Sequence, residues 1–194
     1  MLDIVVPNGN EAELIEMAYR LGYKQLLFLY RKPTPAPTTQ LPVKTLSGVL
    51  LSKPTQAYKN TITAAASSEQ DREYLEHNPP TIMHDFETIQ QPDLMHERTS
   101  GLNQVLCKLA AGRTKIYFSF SNILALSGIK RARMLGRIMQ NTFLCRKYGV
   151  QMGIASFATH PYQMRPPHDL KSYFLQMGMR DDEVKKAFTL NTPA

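Results

Sequence analysis

Short apolar segments that predict β-strands alternate along this chain with segments that predict helices. The predicted strands cover residues 2–7, 25–30, 45–52, 60–66, 81–86, 115–121 and 150–157. Strands separated by helices are typical of parallel βαβ units. About seven such strands in 194 residues favour an α/β fold, a compact or incomplete (β/α) TIM-like barrel, over an open doubly wound sheet. We therefore expect a single barrel domain over residues 1–194.

The helices are predicted from apolar spacing and from residues suited to helix ends. They cover residues 11–21, 68–77, 101–111, 128–148, 168–177 and 181–188. In the third, Leu102, Val105 and Leu106 recur at the spacing of one helix face. Ser100 precedes them and suits the N-terminal cap. The longest helix ends at Gly149, a residue type that adopts the usual conformation after a helix C-terminus.

The charge of the chain is distributed unevenly. Between Arg98 and His168 it carries eleven Lys or Arg residues and no Asp or Glu. Residues 1–97 hold eight basic and twelve acidic residues, a net of −4, and residues 98–194 hold fifteen and four, a net of +11. Charges of one sign repel one another, so such a stretch suggests a polyanionic partner, of which nucleic acid is the commonest.

The predicted helix over 128–148 has an apolar face and a basic face. The apolar face carries Leu135, Ile138, Met139, Thr142 and Cys145. Nearly opposite lie Lys130, Arg133 and Arg137, and the helix contains no acid. Because the apolar face must pack on the barrel, we expect these three cations to form a second basic ridge in solvent. The ridge is either a surface for phosphate or an acidic partner, or an ordinary solvated helix face.

A metal-dependent phosphoesterase is the alternative function for such a barrel. His84 and Asp85 end one predicted strand and His160 follows another, at the end of a barrel where active sites lie. Asp3 in the first strand is a further candidate ligand. However, the first strand lacks the His-x-His pair of polymerase-and-histidinol-phosphatase-type barrels, and no HExxH, CxxC, Walker or GxGxxG pattern is present. We therefore predict no catalytic residue and no metal site.

Tyr162 and Arg165 lie in a proline-rich loop, where the ring either stacks on a base or packs on the barrel rim. Cys107 and Cys145 fall among apolar residues and are predicted to be buried thiols. There is neither a signal-like N-terminus nor an apolar run of about 18 residues, so we expect no membrane association and a cytoplasmic or nuclear location.

The segment from Ser100 to Ala110, SGLNQVLCKLA, resembles the G-[IL]-[DN]-[HQ]-V-L-x-K-L helix of ribonuclease P protein component 3. The resemblance continues through IYFSFS at 116–121, RKYGV at 146–150, RPPHDL at 165–170 and Gly178-Met179. It covers about residues 81–190. Before that range, only the order of strands and helices matches.

This resemblance implies a barrel like those of the phosphoesterases, without their metal centre and without a bound cofactor. It implies a partnership with ribonuclease P protein component 2, other protein subunits and the catalytic ribonuclease P RNA. In that complex the RNA uses Mg²⁺ to remove the 5′ leader of precursor tRNA, and the protein does not cut. The location would be cytoplasmic in archaea and nuclear in eukaryotes.

The resemblance also implies RNA-binding residues. Basic positions of the family correspond here to Arg98, Lys108, Arg113, Lys147, Arg165 and Lys185. One position departs from the family, which often has Asp-His where this chain has Asn103-Gln104. Any role of that histidine is lost here or passes to an amide.

Overall fold

A computed structural model describes residues 1–96 and 98–190 of the chain, and within them seven parallel strands form one sheet. The strands follow one another in space in the order of the sequence, although the connections from the second to the third strand and from the third to the fourth contain no helix. They are β1 (Leu2–Val5), β2 (Gln25–Tyr30), β3 (Lys44–Leu50), β4 (Ile62–Ala66), β5 (Ile82–His84), β6 (Lys115–Ser119) and β7 (Met152–Ala155).

Helices cover the outside of this sheet. Within the described ranges they are α1 (Glu11–Arg20), α2 (Asp71–His77), α3 (Gln104–Ala110), α4 (Phe120–Leu124), α5 (Gly128–Tyr148), α6 (Pro167–Gln176) and α7 (Asp181–Ala187). The predicted α/β architecture, a nearly closed TIM-like barrel of seven strands, is therefore confirmed. None of the helices in residues 1–96 and 98–190 is long and apolar enough to cross a bilayer.

The inside of the barrel is filled by alternate strand residues, as the two-residue period of a strand requires. Together with Phe157, which follows β7, they form one buried cluster: Leu2, Ile4, Leu27, Leu29, Ile62, Ala64, Ile82, Tyr117 and Ala155. The ring of Tyr117 is accommodated by Gly153, where a Cβ atom would lie 2.4 Å from the ring. The other strand residues pack outward against the helices and form the larger core.

The barrel closes between β1 and the segment that follows β7. Phe157 donates its backbone N–H to the Ile4 carbonyl at 2.8 Å, and Val6 donates to the Ala158 carbonyl at 2.9 Å. The Asp3 carboxylate accepts the Ser156 N–H at 2.7 Å, and its burial raises its pKa to about 6. A side chain thus supplements the backbone hydrogen bonds at this seam.

The amino end of the barrel is sealed by the end of the described chain. Lys115 is 7% exposed, and its Nζ donates to the carbonyls of Lys186 at 2.9 Å and Thr189 at 2.5 Å, at and beyond the C-terminus of α7. Leu2 donates its N–H to the Phe188 carbonyl at 3.0 Å. Burial lowers the pKa of Lys115 to about 8, although the helix C-terminus favours its charged form.

Several predicted element ends are wrong. The strand predicted over 81–86 stops at His84, because Asp85 adopts a left-handed conformation with φ 69°. The strand predicted over 115–121 ends at Ser119, and the unpredicted helix α4 follows. The helix predicted from residue 101 begins at Gln104, and its cap is Asn103 instead of Ser100.

Candidate nucleic-acid interface

Lys108 and Lys147 both lie near the Tyr148 ring, where α3 packs against α5. Their Nζ atoms are 5.9 Å and 5.5 Å from the ring centroid. The Tyr148 hydroxyl donates to Gln104 Oε1 at 3.1 Å. The ring attracts both ammonium groups, and both lysines remain exposed. Two cations that are 39 positions apart in the sequence therefore form one positive surface.

Arg98 extends this surface along α5. The Gln140 side chain holds its backbone, accepting the Arg98 N–H at 3.1 Å and donating to the Arg98 carbonyl at 2.8 Å. The guanidinium lies over Gly136, where a Cβ atom would be 2.3 Å from the Arg98 Cζ. The side chain remains half exposed. Gly136 thus permits the close approach that fixes the position of this arginine.

A groove of about 440 Å³ connects Arg98 with Lys147. We call it the α5 groove; it is lined by Arg98, Gly136, Met139, Gln140, Phe143, Leu144 and Lys147. The Phe143 ring is 59% exposed. Cations beside an exposed aromatic ring are the combination that binds the phosphates and stacks the bases of single-stranded RNA. The α5 groove, together with Lys108, is therefore the candidate interface.

The departure at Asn103-Gln104 preserves the local structure. Asn103 Oδ1 accepts the N–H groups of Val105 at 2.9 Å and Leu106 at 3.0 Å, which caps α3. Gln104 supplies the acceptor for Tyr148 described above. The two amides therefore hold α3 in place and connect it to α5 at the candidate interface.

The other three predicted RNA-binding residues lie elsewhere. Arg113 is exposed in the turn between α3 and β6, and Lys185 is exposed on α7. Arg165 lies between β7 and α6, where its Nη1 donates to the carbonyls of Tyr162 at 2.8 Å and Met164 at 2.7 Å. The structure therefore brings together three of the six positions and leaves three in separate elements.

Tyr162 extends from the surface instead of packing on the barrel rim. Its side chain is 78% exposed, and its ring stacks on His160 with 5.2 Å between the centroids. An exposed, preformed pair of rings can accept a base. Of the two interpretations that the sequence left open, the structure excludes the packed one.

The predicted ridge of Lys130, Arg133 and Arg137 is wrong for Arg137. Lys130 and Arg133 are exposed, but Arg137 is 3% exposed. Its guanidinium donates to the carbonyls of Glu87 at 3.1 Å and Gln91 at 2.6 Å. The segment after β5 folds over this side of α5, a tertiary contact that a helical wheel does not contain.

Asp93 neutralises part of the basic stretch, and sequence reasoning missed it. Its Oδ1 accepts from Arg137 Nε at 2.8 Å, and its Oδ2 lies 3.6 Å from Arg98 Nη1 and 3.9 Å from Arg133 Nε. Similarly, Arg146 forms two hydrogen bonds of 2.6–2.7 Å with Glu183. Acids outside the stretch thus compensate cations within it. The sequence contained one indication of this pairing, because Asp93 lies just before the stretch.

The ligands that a metal-dependent phosphoesterase requires do not come together. His84 Nδ1 lies 2.9 Å from Asp85 Oδ2, and the imidazole stacks on Phe157 with 4.4 Å between centroids. His160 Nδ1 instead accepts the Tyr162 N–H, and Asp3 is used at the barrel seam. Among the described residues, no group of three or more His, Cys, Asp or Glu side chains is arranged to hold a metal.

Glu87 is a second functional candidate that the sequence did not indicate. It follows β5 in a short 3-10 turn over Phe86–Thr88 and is 1% exposed. Within residues 1–96 and 98–190, neither carboxylate oxygen makes a hydrogen bond of good geometry, although the backbone N–H groups of Glu87 and Ser119 lie near enough to lower its pKa slightly. Burial, followed by the charge of Asp85, raises the pKa of Glu87 to about 8. The side chain is therefore mostly a neutral acid near pH 7.

No family model matches the chain. Its sequence is 33% identical over 92 residues to ribonuclease P protein component 3 of Methanocaldococcus jannaschii and 34% identical over 94 residues to that of Methanosarcina mazei. These alignments cover 47% and 48% of this chain. They span 39% of the length of each relative. The expected resemblance to ribonuclease P protein component 3 is confirmed as a similarity of sequence.

The fold has a counterpart among solved structures. A chain in the cryo-EM structure of archaeal ribonuclease P with mature tRNA superposes with a TM-score of 0.73. The superposition covers 96% of this chain and 86% of that chain, at 21% sequence identity. At this identity the match shows a shared fold.

Proposed function

We propose that this chain is a protein subunit of ribonuclease P, the ribonucleoprotein that removes the 5′ leader from precursor tRNA. The observation that carries the proposal is the 33–34% identity to proteins named ribonuclease P protein component 3. The shared fold with a chain of the archaeal complex supports it. In this proposal the chain acts with protein component 2 and the other subunits to support the catalytic RNA. It works in the cytoplasm of an archaeon or the nucleus of a eukaryote.

The α5 groove and Lys108 supply the RNA-binding surface in this proposal. Arg98, Lys108 and Lys147 contact phosphates, and Phe143 contacts an unpaired base or a ribose. The protein holds the RNA and contributes no reacting group; the Mg²⁺ that acts in cleavage belongs to the RNA. Arg113, Arg165 and Lys185, which lie in other elements, contact the RNA at separate points or meet other subunits.

Reconstitution tests the proposal. The chain, its component-2 partner and the ribonuclease P RNA are mixed with precursor tRNA, and cleavage is measured at limiting Mg²⁺ and over a range of salt concentrations. We expect the chain to increase cleavage at low Mg²⁺. The logarithm of its apparent affinity for the RNA should fall linearly with the logarithm of salt, by about 0.7–0.9 per phosphate contact. Cleavage that is the same with and without the chain contradicts the proposal.

Paired variants locate the surface. Lys108→Ala/Lys147→Ala removes two cations of the interface, and Arg20→Ala/Lys24→Ala removes two exposed cations at the end of α1 and beyond. The first pair should weaken RNA binding and reduce the salt slope by about 1.4–1.8, whereas the second should change neither. Equal effects of the two pairs would mean that only net charge matters.

A further inference from the structure

The turn that follows β7 carries two stacked rings at the carboxyl end of the barrel. His160 immediately precedes the 3-10 turn Pro161–Gln163, and Tyr162 lies within it. The two ring centroids are 5.2 Å apart, and the planes differ by 27°. We call this pair the His160–Tyr162 platform. It shares no residue with the α5 groove, so it is a separate feature of the surface.

The platform is held in place by hydrogen bonds within the turn. Gln163 Oε1 accepts the backbone N–H groups of Thr159 at 2.7 Å and His160 at 3.2 Å. In return, Gln163 donates its own N–H to the His160 carbonyl at 3.0 Å. His160 Nδ1 accepts the Tyr162 N–H. These hydrogen bonds fix the backbone that carries both rings.

Contacts with other segments hold the turn from both ends. Before it, Asn10 Nδ2 donates to the Thr159 carbonyl at 3.0 Å. After it, the hydroxyl of the buried Tyr23 donates to the Arg165 carbonyl at 2.8 Å, and Arg165 Nη1 donates to the Tyr162 carbonyl at 2.8 Å. An exposed aromatic side chain on a fixed backbone loses little conformational entropy when it binds, so it is an efficient contact point.

One face of the Tyr162 ring is open. The residue is 78% exposed although His160 covers the other face. A flat ring fits against such an open face, whereas a protein pocket would have to admit both rings together. Aromatic faces stack nucleobases with little preference for sequence, because every base has a π-face.

The surroundings of the platform differ from those of a protein-binding anchor. Such anchors lie near the centre of an interface, in a core that is more apolar than the rest of the surface. Among the described residues from 151 to 174, Tyr162 is the one large apolar side chain that is exposed. Its exposed neighbours in the chain include Thr159, His160 and His168. The platform is therefore an isolated aromatic surface among polar groups.

Charges of both signs surround the platform. Arg165 is positive, and the chain from 98 to 168 contains no acid. Two acids lie on helices beside the turn, and each faces a partner: Glu11 accepts from the Tyr30 hydroxyl at 3.4 Å, and Asp169 lies 3.6 Å from His168 Nδ1. Because the local charge is mixed, we expect the platform to contribute stacking and not attraction of phosphates.

We propose that the His160–Tyr162 platform stacks an unpaired base of a single-stranded RNA segment. The base lies on the open face of Tyr162, with His160 behind that ring, and Arg165 holds the turn through the Tyr162 carbonyl. This inference rests on the RNA-binding role proposed above and deepens it. It adds a contact with unpaired RNA that is separate from the α5 groove.

Photo-cross-linking tests the contact directly. The full chain is mixed with an oligonucleotide of about twelve 5-iodouridines, a length within the range of single-strand binding sites. The mixture is irradiated, and cross-linked residues are identified by mass spectrometry. Iodinated bases cross-link efficiently to aromatic rings on which they stack, so we expect Tyr162 among the cross-linked residues. Cross-links that do not include Tyr162 would overturn the proposal.

Binding of the same oligonucleotide by three variants measures the contribution of the ring. Tyr162→Ala should lower the affinity about fivefold or more, the loss typical of one stacked base. Tyr162→Phe should retain most of the affinity, because the π-face is kept. Tyr19→Ala removes another exposed tyrosine, 49% exposed on α1, and should bind like the parent chain. Circular dichroism confirms that the variants fold.

The salt dependence separates stacking from phosphate contact. Stacking releases no counterions, so Tyr162→Ala should leave the salt slope unchanged, whereas Lys108→Ala/Lys147→Ala should reduce it. The proposal is overturned if Tyr162→Ala binds like the parent chain, if Tyr19→Ala loses as much affinity, or if Tyr162→Ala reduces the slope.

Two outcomes distinguish this inference from its alternatives. If Tyr162→Ala binds the RNA normally but no longer binds the component-2 protein, the platform is a protein anchor and the proposal is overturned. If Tyr162 cross-links to the oligonucleotide but the chain does not increase cleavage of precursor tRNA, the ribonuclease P assignment fails and the stacking platform stands.

Discussion

Replacing Glu87 by Gln should change how the stability of the chain depends on pH. The buried carboxyl titrates at about 8 in the fold, compared with 4.5 ordinarily, chiefly because of desolvation. The fold therefore favours the neutral acid, and stability that is fully present below pH 4.5 is lost as the pH rises through about 8. Glutamine has nearly the same shape and cannot lose a proton, so this loss should be absent from the variant.

The size of the effect follows from the two pKa values. The full difference, from 4.5 to about 8, corresponds to about 5 kcal/mol of stability at high pH. About 2 kcal/mol of this stability is already lost at about pH 6, because the Glu87 carboxyl of the unfolded chain is mostly deprotonated at that pH. A further loss of roughly 2–3 kcal/mol develops between about pH 6 and pH 9.

Urea unfolding of both proteins at about pH 6 and pH 9 measures this difference. The parent chain alone is insufficient, because Lys115, whose pKa is lowered to about 8 by burial, loses an unfavourable charge over the same interval. That contribution has the opposite sign and cancels between parent and Glu87→Gln. Any cost of burying the amide is the same at both pH values. If the two proteins lost or gained stability in parallel, the carboxyl would not be held in its neutral form.

Three further substitutions test the packing. Arg137→Ala should lower the free energy of unfolding by about 3–5 kcal/mol, since Asp93 and three carbonyls lose their donor. In the same urea assay, Lys130→Ala should change it by less than about 0.5 kcal/mol, and similar values for the two would contradict the burial of Arg137. Gly153→Ala should cost at least about 1–3 kcal/mol, seen as a lower Tm, because its Cβ would collide with the Tyr117 ring; an unchanged Tm would refute this contact. Asn103→Ala should lower the free energy of unfolding by about 1 kcal/mol, because the α3 cap is lost; thermal unfolding measures this. Asn103→Asp should keep most of that stability, because a carboxylate can accept the same N–H groups.

The barrel was predictable because strand and helix periods are local properties of the sequence. The order of the seven strands then follows from the preference of consecutive βα units for neighbouring positions. Arg137 was not predictable from its helix, because the segment after β5 contributes the carbonyls that bury it. The same holds for Glu87, because the turn that carries it packs against α5.

The candidate interface was predicted in part. The family resemblance pointed to Arg98, Lys108 and Lys147 individually, whereas their common position around Tyr148 and the α5 groove depends on how α3 packs against α5. Ser100 was predicted to be the cap because Leu102 matches the apolar period of the helix. Leu102 is indeed buried, but it precedes the helix. A buried apolar residue just before a helix therefore fits the apolar period as well as one inside the helix does.

The seam between β1 and the segment after β7 has a consequence for the order of folding. Every other strand pairs with the strand next to it in the sequence, so the sheet can grow one strand at a time as the chain leaves the ribosome. Closure is different, because Ile4 must meet Phe157, 153 positions later. Bringing such distant segments together costs the most chain entropy and slows folding.

Until residue 158 has been synthesised, β1 has one unpaired edge, and unpaired edges invite pairing with other chains. The Asp3 carboxylate, which also accepts the Ile4 N–H, lacks the Ser156 N–H from across the seam until that residue has been synthesised. Ring closure should therefore be the last and slowest step in the assembly of this barrel. Nascent chains that end before residue 156 should be the species most in need of a chaperone.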